Sequence, residues 1–315
     1  NTHIKMEDHL NKFVKDNENN PRQETNQELT TNNVQRVDFI ADSEWINIPL
    51  TDLAYGKFYQ DGTKLFIRTA KTKEIESFSI VNENNKYDVQ LKINEILSAC
   101  TKITFADGSA GSYRDIQDGD RDNVAIIIGK ASAKNGRKLE KVAHCNCGHK
   151  EGTKLELIPA NFEYLKEDPF ITKYFNEKTK VYEFPHANGE IIKLAPPTIG
   201  LTQDINTYIF YVATKNEGKV TPNVTFMQLL PYLKAGQGVK SLTIEQLETE
   251  EFKFTKMNDE IFMFVEDAVN YLNFGVDKVK GKCVSCGLEV HTPFGFPNGA
   301  RSVFFIPNAF KHFIR

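Results

Sequence analysis

Short stretches of alternating apolar and polar residues predict β-hairpins in the first two thirds of the chain. Residues 64–68 alternate with the period of two that a half-buried strand requires, and Gly62 marks a turn before them. Residues 180–184 and 190–194 alternate in the same way. The dipeptide Asn188-Gly189 between these two stretches favours a two-residue hairpin turn, because glycine accepts a positive φ. We therefore predict antiparallel strand pairs.

Apolar residues spaced three and four positions apart predict helices, most of them in the second half of the chain. These stretches are residues 73–81, 89–100, 226–233, 243–252 and 259–274, with further helices beginning near Asp120 and Thr202. Asp88 is placed to cap the second of them. The pattern predicts an α+β protein with N-terminal β-hairpins and helices and a mostly helical C-terminal half.

Two cysteine clusters interrupt these patterns. The first knuckle, His144-Cys145-Asn146-Cys147-Gly148, lies between predicted strands at residues 137–142 and 154–158, and the second knuckle, Cys283-Val284-Ser285-Cys286-Gly287, lies near the C-terminus. A Cys-x-x-Cys-Gly turn is typical of half a zinc site, since two ligands on a tight turn converge on one ion and glycine permits the positive φ. The two knuckles together predict a split zinc ribbon that closes a long loop of the chain.

The spacing within the first knuckle decides between ligand sets. Two residues separate His144 from Cys147, a spacing that lets both side chains converge from one turn. Only one residue separates Cys145 from Cys147, which is the side-chain repeat of a strand. We therefore expect a structural zinc ion bound by four side chains, His144, Cys147, Cys283 and Cys286. Cys145 is the alternative ligand, His149 is a further candidate, and thiols without a metal are the remaining interpretation. Four protein ligands would leave no open coordination position.

Composition narrows the class of function. The 315 residues carry a formal net charge of −3 without a long basic run, so we expect no specific binding to nucleic acid. Five cysteines, an odd number, suit a reducing compartment and a metal better than a disulfide framework. No apolar run approaches the roughly 20 residues of a membrane span. The phosphate-loop, Gly-x-Ser-x-Gly and His-Glu-x-x-His motifs are missing, so we expect no enzyme.

Several short motifs follow one another in a fixed order along the chain. The first runs from Ile48-Pro49 through Gly56-Lys57-Phe58-Tyr59-Gln60-Asp61-Gly62-Thr63 to Ile67-Arg68. The later ones are residues 96–100, Gly119-Asp120-Arg121-Asp122, the first knuckle, residues 190–194 with Pro197-Thr198, residues 242–247 and the second knuckle. Over residues 45–315 this order resembles that of baseplate proteins of contractile-tailed bacteriophages, a family that includes hub and hub-assembly proteins of the T-even phages.

The resemblance implies a structural subunit of a tail baseplate hub, or a factor that assembles it, with no chemical reaction. The implied partners are other phage baseplate and tail proteins, in several copies within a symmetric assembly. The implied location is the tail baseplate of the virion, and the host cytoplasm during assembly. The chain departs from the family in its first knuckle, where His144 occupies the first position of Cys-x-x-Cys-Gly. A zinc-ribbon nucleic-acid-binding protein and a tail-associated hydrolase remain as alternatives.

The same patterns predict four segments. Residues 1–42 are poor in apolar side chains and are expected to form an extended arm. Residues 43–160 are expected to form an α+β domain that ends in the first knuckle. Residues 161–277 are predicted to form a hairpin and helical domain, and residues 278–315 the second knuckle and a C-terminal tail.

Overall fold

Four antiparallel strands and three helices form the N-terminal part of the fold. The computed structural model describes residues 44–132, 138–187, 189–215, 222–254, 256–257, 259–272, 274–297 and 299–304. The strands, in the spatial order β1-β2-β3-β4, are β1 (Ile46–Ile48), β2 (Lys64–Ile67), β3 (Thr101–Thr104) and β4 (Ala110–Gly111). The helices are α1 (Thr72–Ser79), α2 (Lys86–Cys100) and α3 (Arg121–Ser132). The predicted arm lies outside the described residues.

The first hydrophobic core forms where one face of this sheet meets α2 and α3. Leu65 and Ile67 on β2 are fully buried, as the alternating pattern predicted. Leu97 on α2 and Val124 on α3 pack into the same cluster. Helix α2 begins earlier than predicted because Asn85, rather than Asp88, is its N-cap: the Asn85 side chain accepts hydrogen bonds from two backbone N–H groups of the first turn.

A three-stranded sheet and five helices form the middle of the chain. The strands, in the order β10-β9-β8, are β8 (Phe175–Asn176), β9 (Val181–Pro185) and β10 (Ile191–Leu194). The helices are α4 (Pro169–Thr172), α5 (Ile199–Lys215), α6 (Val224–Gly236), α7 (Ile244–Phe254) and α8 (Asp259–Tyr271). The predicted hairpin between β9 and β10 is present, and Gly189 in its turn has a φ of 87°. Asn188 lies outside the described residues.

Two hairpins carry the cysteine clusters and pack against each other. The first hairpin is β5 (Glu140–Ala143) with β6 (Thr153–Glu156), and the second is β11 (Val276–Lys282) with β12 (Glu289–Pro293). Strand β7 (Phe162–Tyr164) pairs with the other side of β11. Val279 of the second hairpin and Leu155 of the first are buried in one apolar cluster. The hairpins are therefore joined by packing as well as by their knuckles.

The architecture is α+β, as predicted, with helices beside antiparallel sheets. The described residues belong to one compact unit, Phe39–Arg315. Within the part of the chain that the structure describes, no helix has the length and apolar character needed to cross a membrane.

A buried carboxylate fixes the start of α3. Asp120 is inaccessible to solvent, and its two oxygens accept hydrogen bonds from the Tyr55 backbone N–H and from the Tyr59 hydroxyl, at 3.1 Å in each case. The Tyr59 hydroxyl in turn accepts a hydrogen bond from the backbone N–H of Gln117. Burial raises the pKa of Asp120 to about 7, although the hydrogen bonds to its oxygens favour the ionised form.

The pKa of Asp120 predicts a pH dependence of stability. Above the unfolded-state pKa of about 4, and up to about 7, the folded chain retains a proton that the unfolded chain has released. The free energy of unfolding should therefore fall as the pH rises through this window, by at most about 1.4 kcal/mol per pH unit for one proton. Asp120→Asn keeps the shape of the side chain and should flatten this dependence in urea unfolding between about pH 5 and pH 7. Equal slopes for both proteins would contradict the assignment.

Candidate metal centre

The first knuckle is formed by two tight turns between β5 and β6. The backbone N–H of Gly148 donates to the carbonyl of Cys145 at 3.2 Å, and that of Gly152 donates to the carbonyl of His149 at 3.3 Å. Gly148 and Gly152 have φ values of 82° and 70°, which side-chain-bearing residues rarely adopt. The first turn places Cys145 and Cys147 together at the tip of the hairpin.

The second knuckle is a closed turn at the end of β11. The Cys283 N–H donates to the Leu288 carbonyl at 2.8 Å, and the Gly287 N–H donates to the Cys283 carbonyl at 2.9 Å. Gly287 has a φ of 74°, as predicted for the position after a Cys-x-x-Cys turn. Cys283 and Cys286 consequently lie on the same turn.

Specific contacts bring the two knuckles together. The Val284 N–H donates to the Thr153 hydroxyl at 3.3 Å, and the Lys141 ammonium group donates to the Pro293 carbonyl at 2.6 Å. The strands approach so closely that a Cβ atom on Gly281 would lie 2.6 Å from a methyl carbon of Leu155. Glycine at this position therefore allows β11 to lie against the first hairpin.

The result is a cluster of four thiols, Cys145, Cys147, Cys283 and Cys286, whose sulfur atoms all lie within 4.8 Å of one another. The sulfurs of Cys145 and Cys286 are 3.5 Å apart, and those of Cys147 and Cys283 are 3.7 Å apart. A tetrahedral ion with metal–sulfur distances of about 2.3 Å holds its sulfurs about 3.8 Å from one another. The four cysteines are free thiols at a spacing that can hold a metal ion.

The electrostatics of the cluster also suit a cation. The backbone N–H groups of Cys286 and Ser285 lower the pKa of Cys283 to about 6. At Cys286 the Leu288 N–H favours the thiolate, but burial and the contacts with the other cysteines raise the pKa to about 12. Thiolates this close repel one another, so full deprotonation of all four requires a compensating positive charge. A metal ion bound by the four sulfurs would supply that charge.

The structure places the alternative ligand Cys145 in the cluster and leaves the preferred ligand His144 outside it. Cys147, Cys283 and Cys286 lie in the cluster as predicted, but the fourth member is Cys145 rather than His144. The His144 side chain is exposed, and its ring lies over the turn, where Cε1 would be 3.2 Å from a Cβ atom on Gly152. The spacing argument treated residues 145–147 as strand, whereas β5 ends at Ala143 and a turn reverses the chain. His149 is likewise not a member of the cluster.

Sequence reasoning missed the residues that hold the knuckles in place. Thr153 is a buried polar residue whose hydroxyl accepts from the opposite hairpin, and Gly281 permits the close approach of the strands. Neither residue belongs to a motif, so their roles depend on a contact between distant segments. Strand β12 was also not predicted, although Glu289, Val290 and His291 alternate between exposed and buried positions.

Comparisons with known proteins add no assignment. No protein-family model, curated protein or solved structure matches the chain. The function must therefore be argued from the cysteine cluster, the fold and the order of the sequence motifs.

The composition of the cluster predicts unequal effects for two neighbouring substitutions. Cys145→Ser removes a sulfur from the cluster and should weaken Co²⁺ or Zn²⁺ binding by more than about 10-fold. His144→Ala is the matched control and should change the affinity less than about twofold, because its ring lies outside the cluster. Both affinities are measured by competition with a chromophoric chelator under anaerobic conditions. A large loss with His144→Ala and a small loss with Cys145→Ser would restore the histidine as the ligand.

Proposed function

We propose that the chain is a structural subunit, or an assembly factor, of a bacteriophage tail baseplate hub, and that a zinc ion clasps its fold. The observation that carries the metal-binding part of the proposal is the convergence of four cysteines from two hairpins into one cluster. Four protein ligands fill a tetrahedral coordination sphere and leave no position for a substrate or a reactive water. Such a centre suits a structural role rather than a catalytic one.

The choice of zinc follows from the ligands. Four thiolate sulfurs in tetrahedral arrangement favour zinc or iron among the common metals, and zinc is the usual ion where turns of this kind serve a structural purpose. The sulfur spacings of 3.5 and 3.7 Å fit either ion. Elemental analysis and visible absorption of the chain as purified distinguish zinc from iron, because an iron-loaded chain is coloured and redox-active.

The baseplate role is supported by the order of motifs and by exposed apolar side chains. Val284 and Leu288, at the tip of the second knuckle, are 71% and 64% exposed. Phe170, which is 56% exposed, lies 6.0 Å from the ring of the half-exposed Tyr271 on α8. Large apolar side chains at the surface are suited to protein–protein contacts. A subunit packed among other baseplate proteins would cover such groups.

The charge distribution of the second hairpin weighs against a nucleic-acid-binding ribbon. Lys278 and Lys280 lie on the outer face of β11, where phosphate contacts would be expected. Their ammonium groups lie 3.2 and 3.8 Å from the two carboxylate oxygens of Glu163 on β7. This carboxylate offsets part of the positive charge on the face. Binding to phosphate requires an excess of positive charge.

A nonsense mutation of the gene in the phage that carries it tests the proposed role. We expect particles without complete baseplates, which electron microscopy of the lysate detects. Complementation with the wild-type gene or with His144→Ala should restore tails, whereas Cys283→Ser should not, because it removes a buried sulfur of the cluster.

Three outcomes would contradict the proposal. One is assembly of normal tails in the absence of the chain, and another is a gene that resides outside phage and prophage genomes. The third is retention of duplex DNA by the purified chain at physiological salt with a steep salt dependence, which would favour the nucleic-acid-binding alternative. Cell-wall hydrolysis abolished by a single carboxylate substitution would favour the hydrolase alternative.

A further inference from the structure

Two short sulfur–sulfur contacts join the hairpins within the cluster, and each joins an exposed sulfur to a more sheltered one. In the first pair Cys286 is exposed and Cys145 is half-buried, with their sulfurs 3.5 Å apart. In the second pair Cys147 is exposed and Cys283 is buried, with their sulfurs 3.7 Å apart. An oxidant in solution can therefore reach the exposed sulfur of each pair, and the second sulfur is already in contact with that exposed sulfur.

Contacts that do not involve sulfur keep these pairs facing each other. The Thr153 hydroxyl accepts from the Val284 N–H beside the cluster, and Lys141 donates to Pro293 at the far end of the hairpins. Val279 and Leu155 are buried between the strands. The geometry that brings the sulfurs together is thus built by the protein as well as by any ion bound there.

We propose that the cluster is also a site of covalent cross-linking, at which a two-electron oxidant of the peroxide class forms the disulfides Cys145–Cys286 and Cys147–Cys283. The inference rests on the cysteine geometry and does not depend on the baseplate role. It adds to the metal site a second chemistry for the same four side chains.

The reaction balances for each pair. One thiol of the pair gives up its proton as its sulfur attacks the peroxide, the O–O bond breaks, a sulfenic acid forms, and the displaced hydroxide takes the thiol proton to become one water. The sulfur of the second thiol then attacks the sulfenic sulfur, the S–O bond breaks, and the departing hydroxide takes the proton of this second thiol to become a second water. Each pair loses two electrons and two protons to one peroxide molecule. A metal ion held by the four sulfurs would be released to solvent in the same process.

Cross-linking in this pairing would keep the two hairpins joined after a metal ion is lost. The two bridges join residues 141 and 136 positions apart, and both connect the same two hairpins that a metal ion would connect. Long loops restrict the unfolded chain most strongly, so these bridges favour the folded state. A Cys283–Cys286 bridge would instead constrain a single turn and leave the first hairpin without a link.

Disulfide mapping of the full-length chain tests the proposal. The reduced chain is treated with two equivalents of hydrogen peroxide, alkylated and digested, and the linked peptides are sequenced by electron-transfer fragmentation. We expect Cys145 linked to Cys286 and Cys147 linked to Cys283, with Cys100 alkylated as an internal control. A Cys283–Cys286 bridge, links between separate chains, or a mixture of all pairings would overturn the proposal.

Double variants provide a second readout that compares pairs directly. Cys145→Ser with Cys286→Ser leaves Cys147 and Cys283, a contacting pair, whereas Cys145→Ser with Cys283→Ser leaves Cys147 and Cys286, both exposed. The contacting pair should cross-link at least about tenfold faster than the exposed pair. Equal rates would overturn the proposed pairing even if the wild-type map were ambiguous.

The denaturant midpoint of the oxidised chain completes the test. We expect chelator to leave this midpoint unchanged and a thiol reductant to lower it, because bridges rather than an ion then join the hairpins. A midpoint insensitive to reductant would contradict a stabilising role for the bridges. The two proposals can fail separately. Correct bridges in a chain that has no role in baseplate assembly would contradict only the proposed function, and a baseplate role without these bridges would contradict only the cross-linking proposal.

Discussion

The convergence of four thiols on one point constrains the rest of the structure. The two hairpins that supply these thiols are separated by most of the helical half of the chain, and the contacting cysteines are 141 and 136 residues apart. Closing a flexible loop of this length costs about 4 kcal/mol in chain entropy. Apolar packing between the hairpins opposes that cost, and the bonds to a metal ion in the proposed site would oppose it further. The strands, turns and close approaches around the knuckles are the means by which the closure is achieved.

The chemistry of the cluster follows from the same crowding. Four sulfurs within 4.8 Å of one another can all be thiolates only where a cation lies between them, and otherwise some of them keep their protons. The backbone N–H groups aimed at Cys283 favour its thiolate, whereas Cys286 holds its proton more tightly. A metal ion in the proposed site would resolve this conflict by its positive charge, and the proposed disulfides would resolve it by removing the negative charges. Both outcomes keep the hairpins together.

The sequence predicted the helices and strands better than it predicted the tertiary contacts between them. The buried faces of β2 and α2 and the hairpin of β9 and β10 follow from local periodicity, which needs no knowledge of distant contacts. Cys147, Cys283 and Cys286 were predicted from the knuckle motifs. Cys145 was only the alternative ligand, because its role depends on where β5 ends and the turn begins. The hydrogen bond between Thr153 and Val284 depends on tertiary packing, so no local sequence pattern predicts it.

The central claim is that the four cysteines, and no histidine, bind one structural metal ion between the two hairpins. X-ray absorption spectroscopy of the purified, metal-loaded chain at the zinc edge tests it most directly, because sulfur and nitrogen ligands differ in scattering and in distance. The account predicts four sulfur ligands at about 2.3 Å and no nitrogen ligand at about 2.0 Å. A shell with three sulfurs and one nitrogen, or a chain that binds no metal, would contradict it.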